Sequence, residues 1–228
     1  MPGRAIPLVN EEFYHIFNRG IDHRPTFLNK RDFTRAVTSI YFYRFISPPI
    51  KLSQYLRLNS QEQNGILVQL EKNKALVEIL CYCFMPNHFH FLLRQKKESG
   101  IAKFMSNFQN SYTRYFNIRQ QRNGPLFLGQ FKAIRIETEE QLFHLTRYIH
   151  LNPYSSYLVK NLGKLKEYLW SSFPEFLERK EGFCEKKLLL NQFKNKENFE
   201  KFILSHADYQ RDLEKIKHLI LENQRLFL

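Results

Sequence analysis

The stretch from Val77 to Leu93 limits the fold more than any other part of the chain. Val77-Glu78-Ile79-Leu80-Cys81-Tyr82-Cys83-Phe84 reads as a strand. Pro86-Asn87 makes a tight turn and His88 to Arg94 returns, so the pair reads as a β-hairpin. Side chains alternate along a strand, which sends His88 and His90 to one face and Phe89, Phe91 and Leu93 to the other. Two imidazoles on one rigid face can share a divalent cation, imidazole being the commonest metal ligand. The same pair also suits surface histidines on an edge strand, or a hydrogen-bonded pair in a core.

Other elements are spaced around the hairpin. Phe13 to Gly20 reads as a first strand ended by glycine, and Asn29 caps a helix from Lys30 to about Phe45 that Ser47-Pro48-Pro49 breaks. The stretch from about 46 to 75 is polar with scattered leucines, too thin for a core of its own. It reads as an insertion with one or two short helices, one starting near Ser60. After Ser99-Gly100, the residues Ile101, Phe104, Met105, Phe108, Tyr112, Tyr115 and Phe116 recur at helical steps and predict a core-facing stripe. Gly124-Pro125 breaks the chain, and Phe127 to Glu137 reads as another strand. Thr138-Glu139-Glu140-Gln141 is a capping box that opens a helix through Leu142, Leu145 and Ile149. Pro153 is expected to end it, because the residue before proline avoids the α region. Trp170 reads as a packing clamp. Beyond Pro174 the chain is charged, with helical spacing near Leu188–Leu190, Phe199–Leu204 and Leu213–Leu221.

Charge narrows the partners. A formal net charge of +13 and a pI near 9.6 point to a polyanion, nucleic acid first and an acidic membrane surface second. From Ile101 to Ile136 every charged residue is basic, and aromatics are interleaved with them. Basic residues bind phosphates and aromatics stack on bases, although an ordinary solvated face has the same charge pattern. No apolar run approaches the ~18 residues of a membrane span. The opening Met1-Pro2-Gly3-Arg4-Ala5-Ile6-Pro7 lacks the long apolar core of a secretory signal. Cys81 and Cys83 share a strand face instead of forming a CxxC turn, and Cys184 stands alone. This usage fits a reducing, cytoplasmic setting.

The capped helix adds chemistry to the histidines. Tyr148 and Asn152 are i and i+4 on it and share a face. The Asn152 carboxamide oxygen is a hard donor suited to complete a site begun by His88 and His90, which puts Tyr148 beside the cation. A phenol with a pKa near 10 is a poor nucleophile at neutral pH, but a cation that polarises a phosphate lets it attack. Read singly, Tyr148 is a core tyrosine and Asn152 a helix cap before proline. Together with His-x-His they form a constellation. A phosphoesterase using activated water instead needs carboxylates near the histidines, and Glu78 and Glu98 are the nearest in sequence.

The order of Tyr14-His15-Ile16-Phe17-Asn18-Arg19-Gly20, Pro86-Asn87-His88-Phe89-His90, Arg114-Tyr115-Phe116-Asn117, Gly124-Pro125-Leu126-Phe127, Gly129-Gln130-Phe131-Lys132 and Arg147-Tyr148-Ile149-His150-Leu151-Asn152-Pro153 resembles the IS200-like single-tyrosine (Y1, HUH-type) transposases, closest to their REP-associated branch. The resemblance covers roughly residues 10 to 175. It implies an α+β fold, a central antiparallel sheet with packed helices (a ferredoxin-like HUH domain), over about 8–175 with the insertion at about 46–75. A helical C-terminal appendage follows over 176–228. It further implies metal-dependent cleavage and rejoining of single-stranded or hairpin DNA through a 5′-phosphotyrosine. Tyr148 is then the nucleophile, and His88, His90 and Asn152 hold Mg²⁺ or Mn²⁺. Arg19, Arg114, Lys132, Arg135 and Arg147 are the candidate DNA-binding residues, and His15 is also expected to touch DNA near the site. Gln130 stands where many relatives carry Arg. A non-catalytic hairpin-binding derivative is the alternative, and either a monomer or a homodimer is compatible.

Overall fold

A computed structural model describes residues 7–213. In chain order its elements are β1 (Phe13–Arg19), α1 (Lys30–Tyr43), α2 (Leu52–Tyr55), α3 (Ser60–Lys72), β2 (Val77–Met85), β3 (His88–Gln95), α4 (Gly100–Arg119), β4 (Lys132–Ile136), α5 (Glu139–Ser155), α6 (Phe173–Phe176), α7 (Lys187–Leu190) and α8 (Lys196–Leu204). The strands form one antiparallel sheet in the order β2-β3-β1-β4. The fold is α+β, as the sequence implies. The readings made on Met1–Ile6 and on the leucine spacing beyond Leu213 lie outside the described residues.

Alternation along β3 sorts the layers. Phe89 and Phe91 are fully buried, with ring centroids 5.3 and 5.8 Å from Phe108 of α4. Burial of each such ring contributes on the order of 2–3 kcal/mol. Helix α4, with α1 packed against it, therefore covers that face. The opposite face carries His88 and His90 of β3, paired across from Met85 and Cys83 of β2. Helix α5 lies on this second face. The three cysteines are all buried and free.

Local chemistry sets most of the boundaries. Asn29 Oδ1 accepts from the Asp32 amide at the start of α1, and Thr138 Oγ1 accepts from the Gln141 amide at the start of α5. Two expectations need correction. The strand read over Phe127 to Glu137 is β4 alone, starting at Lys132; Phe127 makes only an isolated bridge to Gly20. The Asn18 side chain holds that preceding loop by donating to the Leu128 carbonyl at 2.9 Å. Helix α5 also runs through Pro153 to Ser155 instead of ending before it. Proline removes one ladder bond, to the Ile149 carbonyl, and only a last half-turn follows it. Burial of Asn152, Pro153, Tyr154 and Ser155 overrides the local preference.

The insertion builds a small satellite core in which Phe42 and Phe45 meet Leu52, Tyr55 and Leu70. Trp170 stacks on Phe33 at 5.0 Å, and its carbonyl accepts from the Phe84 amide. Residues after 175 continue into the main core through Phe176, Leu177, Cys184, Leu189, Phe199 and Ile203. The turn that brings them there is built on Glu175, only 1% exposed. Its carboxylate accepts from Tyr82 Oη at 2.8 Å and from the amides of Phe183 and Cys184 at 3.1 and 3.3 Å, with Lys180 Nζ at 3.6 Å. Gly182 passes so close to Glu175 that any Cβ there would overlap the carboxylate.

Candidate active site

The site lies where β3, β1 and α5 meet. The two-residue turn Pro86-Asn87 starts β3 at His88, so strand alternation puts His88 and His90 side by side, ring centroids 5.1 Å apart and nearly perpendicular. Thr138 caps α5, and its helical spacing carries Tyr148 and Asn152 over the same face. The Tyr148 ring stands edge-on to His90 at 5.3 Å. Asn152 Oδ1 lies 3.4 Å from His88 Nε2. Asn152 and His90 are buried, while His88 and Tyr148 remain partly open to solvent. All four residues singled out from the sequence are therefore brought together.

The donor set fits a hard or borderline divalent cation. Asn87 Oδ1 lies 2.7 Å from His88 Nδ1 and can take a hydrogen bond from it. With the proton on Nδ1, His88 Nε2 presents a lone pair toward the carboxamide oxygen of Asn152. Two acceptor atoms facing each other in this way are stabilised by a cation between them. Among the described residues no three His, Cys, Asp or Glu side chains cluster as a metal site. Glu78 does not supply a carboxylate: it pairs with Arg94 and Lys96 at the far end of the hairpin, both at 3.4 Å. Glu98 is exposed in the turn beyond β3.

Cross-strand register decides which of the basic candidates share this face. Arg19 pairs opposite His88, and Phe17 pairs with both His90 and Lys132, so Arg19 and Lys132 flank the histidines. Both are exposed. Arg135 pairs opposite Tyr14, on the other face, and is bound to Glu12 at 2.8 Å. Arg114 is exposed on α4, on the far side of the sheet, beside Asn110, Asn117 and Ile118. Arg147 is only 7% exposed. Its guanidinium lies over the Phe202 ring at 3.9 Å and donates to the Phe202 carbonyl at 3.0 Å. In this structure Arg147 ties α5 to α8.

The remaining tyrosines near the motifs are engaged elsewhere. Tyr112 donates to the Thr26 carbonyl, Tyr115 to Asp32 and Tyr154 to Asp208. Burial raises the pKa of all three, and the carboxylate partners raise Tyr115 and Tyr154 further. His144 is exposed on α5.

His15 is the residue whose place the sequence does not give. Its Nε2 lies 2.9 Å from His90 Nδ1, with the two rings stacked at 5.1 Å. Tyr148 stands edge-on to it at 6.1 Å. Burial pushes its pKa down to about 4, so the ring is neutral at physiological pH. Alternation on β1 puts His15 on the face of Phe17 and Arg19, but its meeting with His90 depends on a strand pairing that no local pattern specifies.

No curated protein matches the chain. A putative transposase from Deinococcus radiodurans R1 aligns with a TM-score of 0.33 at 15% identity, over 65% of this chain and 95% of that one. A REP-associated tyrosine transposase bound to a REP hairpin superimposes with a TM-score of 0.54 at 13% identity, over 78% of this chain and 87% of that one, a likeness of fold. The family model described as "Transposase IS200 like" matches residues 38–152, half of the chain, and spans His88, His90, Tyr148 and Asn152. The chain belongs to the IS200-like transposase family.

Proposed function

We propose that the protein cleaves and rejoins single-stranded DNA, with Tyr148 as nucleophile and His88, His90 and Asn152 as the ligands of one Mg²⁺ or Mn²⁺. The observation that carries this reading is that Tyr148 stands edge-on to His90 at 5.3 Å while Asn152, one turn later on the same helix, faces His88 Nε2 at 3.4 Å. When bound, the cation polarises the scissile phosphate and stabilises its developing charge. The Tyr148 oxygen forms the new bond to phosphorus and its proton passes to solvent. The bond from phosphorus to the 3′ oxygen breaks, and that oxygen takes up a proton as a free hydroxyl. The return attack of a 3′-OH on the phosphotyrosine rejoins a strand, so no nucleotide cofactor is needed. Arg19 and Lys132, exposed on the same face, are suited to hold flanking phosphates as point charges.

The solved relative bound to a REP hairpin supports hairpin DNA as the substrate form. Oligonucleotides with and without a hairpin, incubated with the protein and Mg²⁺ or Mn²⁺, test both points. A covalent adduct that survives denaturation and maps to Tyr148 is the expected product. Tyr148→Phe is expected to lose the adduct and keep DNA binding. An undiminished adduct in that variant excludes Tyr148 as the nucleophile. Binding without any adduct in the wild type favours the non-catalytic hairpin binder.

A further inference from the structure

We propose that His15 and Asn87 are positioning residues that choose which ring nitrogen each histidine of the pair offers to the cation; this rests on the metal-site reading above. An imidazole binds a cation only through a nitrogen carrying a lone pair, and in the neutral ring the other nitrogen holds the proton. The partner of that other nitrogen therefore decides whether the ligand is ready.

For His88 the partner is Asn87, whose amide is itself oriented. Its Nδ2 donates to the His23 carbonyl at 3.2 Å, which turns Oδ1 toward His88 Nδ1. The Asn87 carbonyl accepts from the Gly20 amide at 2.7 Å, which fixes the turn against the end of β1. Both neighbours of the ring are oxygens, which only accept, and the shorter contact, 2.7 Å to Asn87 against 3.4 Å to Asn152, favours the hydrogen on His88 Nδ1. For His90 the partner is the His15 ring nitrogen at 2.9 Å. With the hydrogen on His90 Nδ1, His15 accepts and the His90 Nε2 lone pair can serve as a ligand. With the hydrogen on His15, His90 is protonated at Nε2 and cannot ligate. A metal-competent site requires the first arrangement. The two supports come from different places in the chain, one from the hairpin turn and one from β1, and both act on the nitrogens remote from the cation. Partners of this kind fix ring orientation and raise ligand basicity, and their loss typically lowers metal affinity about 10–100-fold.

Mn²⁺ binding to the full, DNA-free chain, followed by the electron paramagnetic resonance of free Mn²⁺, tests the proposal apart from catalysis. His15→Phe keeps a ring but removes the acceptor. It is expected to weaken Mn²⁺ binding about 10–100-fold, as is Asn87→Ala. His15→Gln keeps an acceptor at similar reach and is expected to stay within a few-fold of wild type. Unchanged affinity in His15→Phe, alongside lost binding in His88→Ala and Asn152→Ala, overturns the positioning role and leaves the metal site standing. Unchanged affinity in His88→Ala and Asn152→Ala overturns both. A measurement on the wild type alone guards against a variant that fails to fold. Long-range ¹H–¹⁵N correlation of the metal-free protein is expected to show His90 protonated at Nδ1, and protonation at Nε2 overturns the assignment.

Discussion

His150 shares α5 with Tyr148 yet lies away from the His88–His90 pair, fully buried among the rings of Phe173, Phe176 and Phe199. Its Nε2 meets Ser172 Oγ at 2.9 Å, and its Nδ1 has no hydrogen-bond partner among the described residues. Burial pushes its pKa down to about 3. The unfolded chain, with histidine near 6.5, thus binds one proton more than the folded chain between about pH 3 and pH 6.5. The stability contributed by the neutral ring is complete above about pH 6.5 and is lost as pH falls through that window, by at most ~1.4 kcal/mol per pH unit. His15 acts in the same direction between about pH 4 and 6.5. Urea midpoints measured against pH should fall toward acid, and His150→Gln should flatten the slope whatever it does to the absolute stability. At this scale the sequence was most informative where geometry is local. Strand alternation placed His88 and His90, and helical spacing placed Tyr148 and Asn152. The partners of His15 and Arg147 are not legible in this way, because His90 and Phe202 lie far away in sequence.

Helix α5 is held along its length by the C-terminal segment. Arg147 stacks on Phe202, Gln210 donates to the Tyr148 carbonyl at 3.2 Å, and the Arg211 guanidinium covers the Tyr154 ring at 3.4 Å while donating to the Tyr154 carbonyl. Half-buried Phe202 is the least replaceable of these, since it serves Arg147 through both its ring and its carbonyl position. Phe202→Ala should cost about 2 kcal/mol, below the range for a fully buried ring. Amide exchange should speed up in the second half of α5 more than in β3. Equal protection of α5 in variant and wild type would exclude the clamp. The start of this helix was readable, because a capping box is a short pattern. Its end was not, because the contacts that carry it through Pro153 come from residues more than 50 positions later. The late start of β4 has a similar origin: the loop before it is held by Asn18 on another strand.

Over the whole molecule, the residues on both sides of position 175 share one core, and Glu175 is the point where the chain turns back toward the sheet. A chain ending at residue 175 would expose the surface of α5 that α8 now covers, including His150 where Phe199 packs on it. We expect such a truncation to lose its sharp unfolding transition in calorimetry and to bind hydrophobic dyes, whereas a persistent cooperative transition would show that the first 175 residues suffice. The sheet and its helices were legible because apolar periodicity reports them. The depth at which the charged C-terminal stretch packs was not, since composition alone reads as surface. The tethering of α5 has a consequence for mixtures of chains. The candidate nucleophile and the histidines it faces come from one polypeptide, held together by that polypeptide's own tail. A Tyr148→Phe chain mixed with a His88→Ala chain should therefore produce no more adduct than either alone. Specific activity of the wild type should stay level on dilution, as expected of a catalyst that borrows nothing from its neighbours.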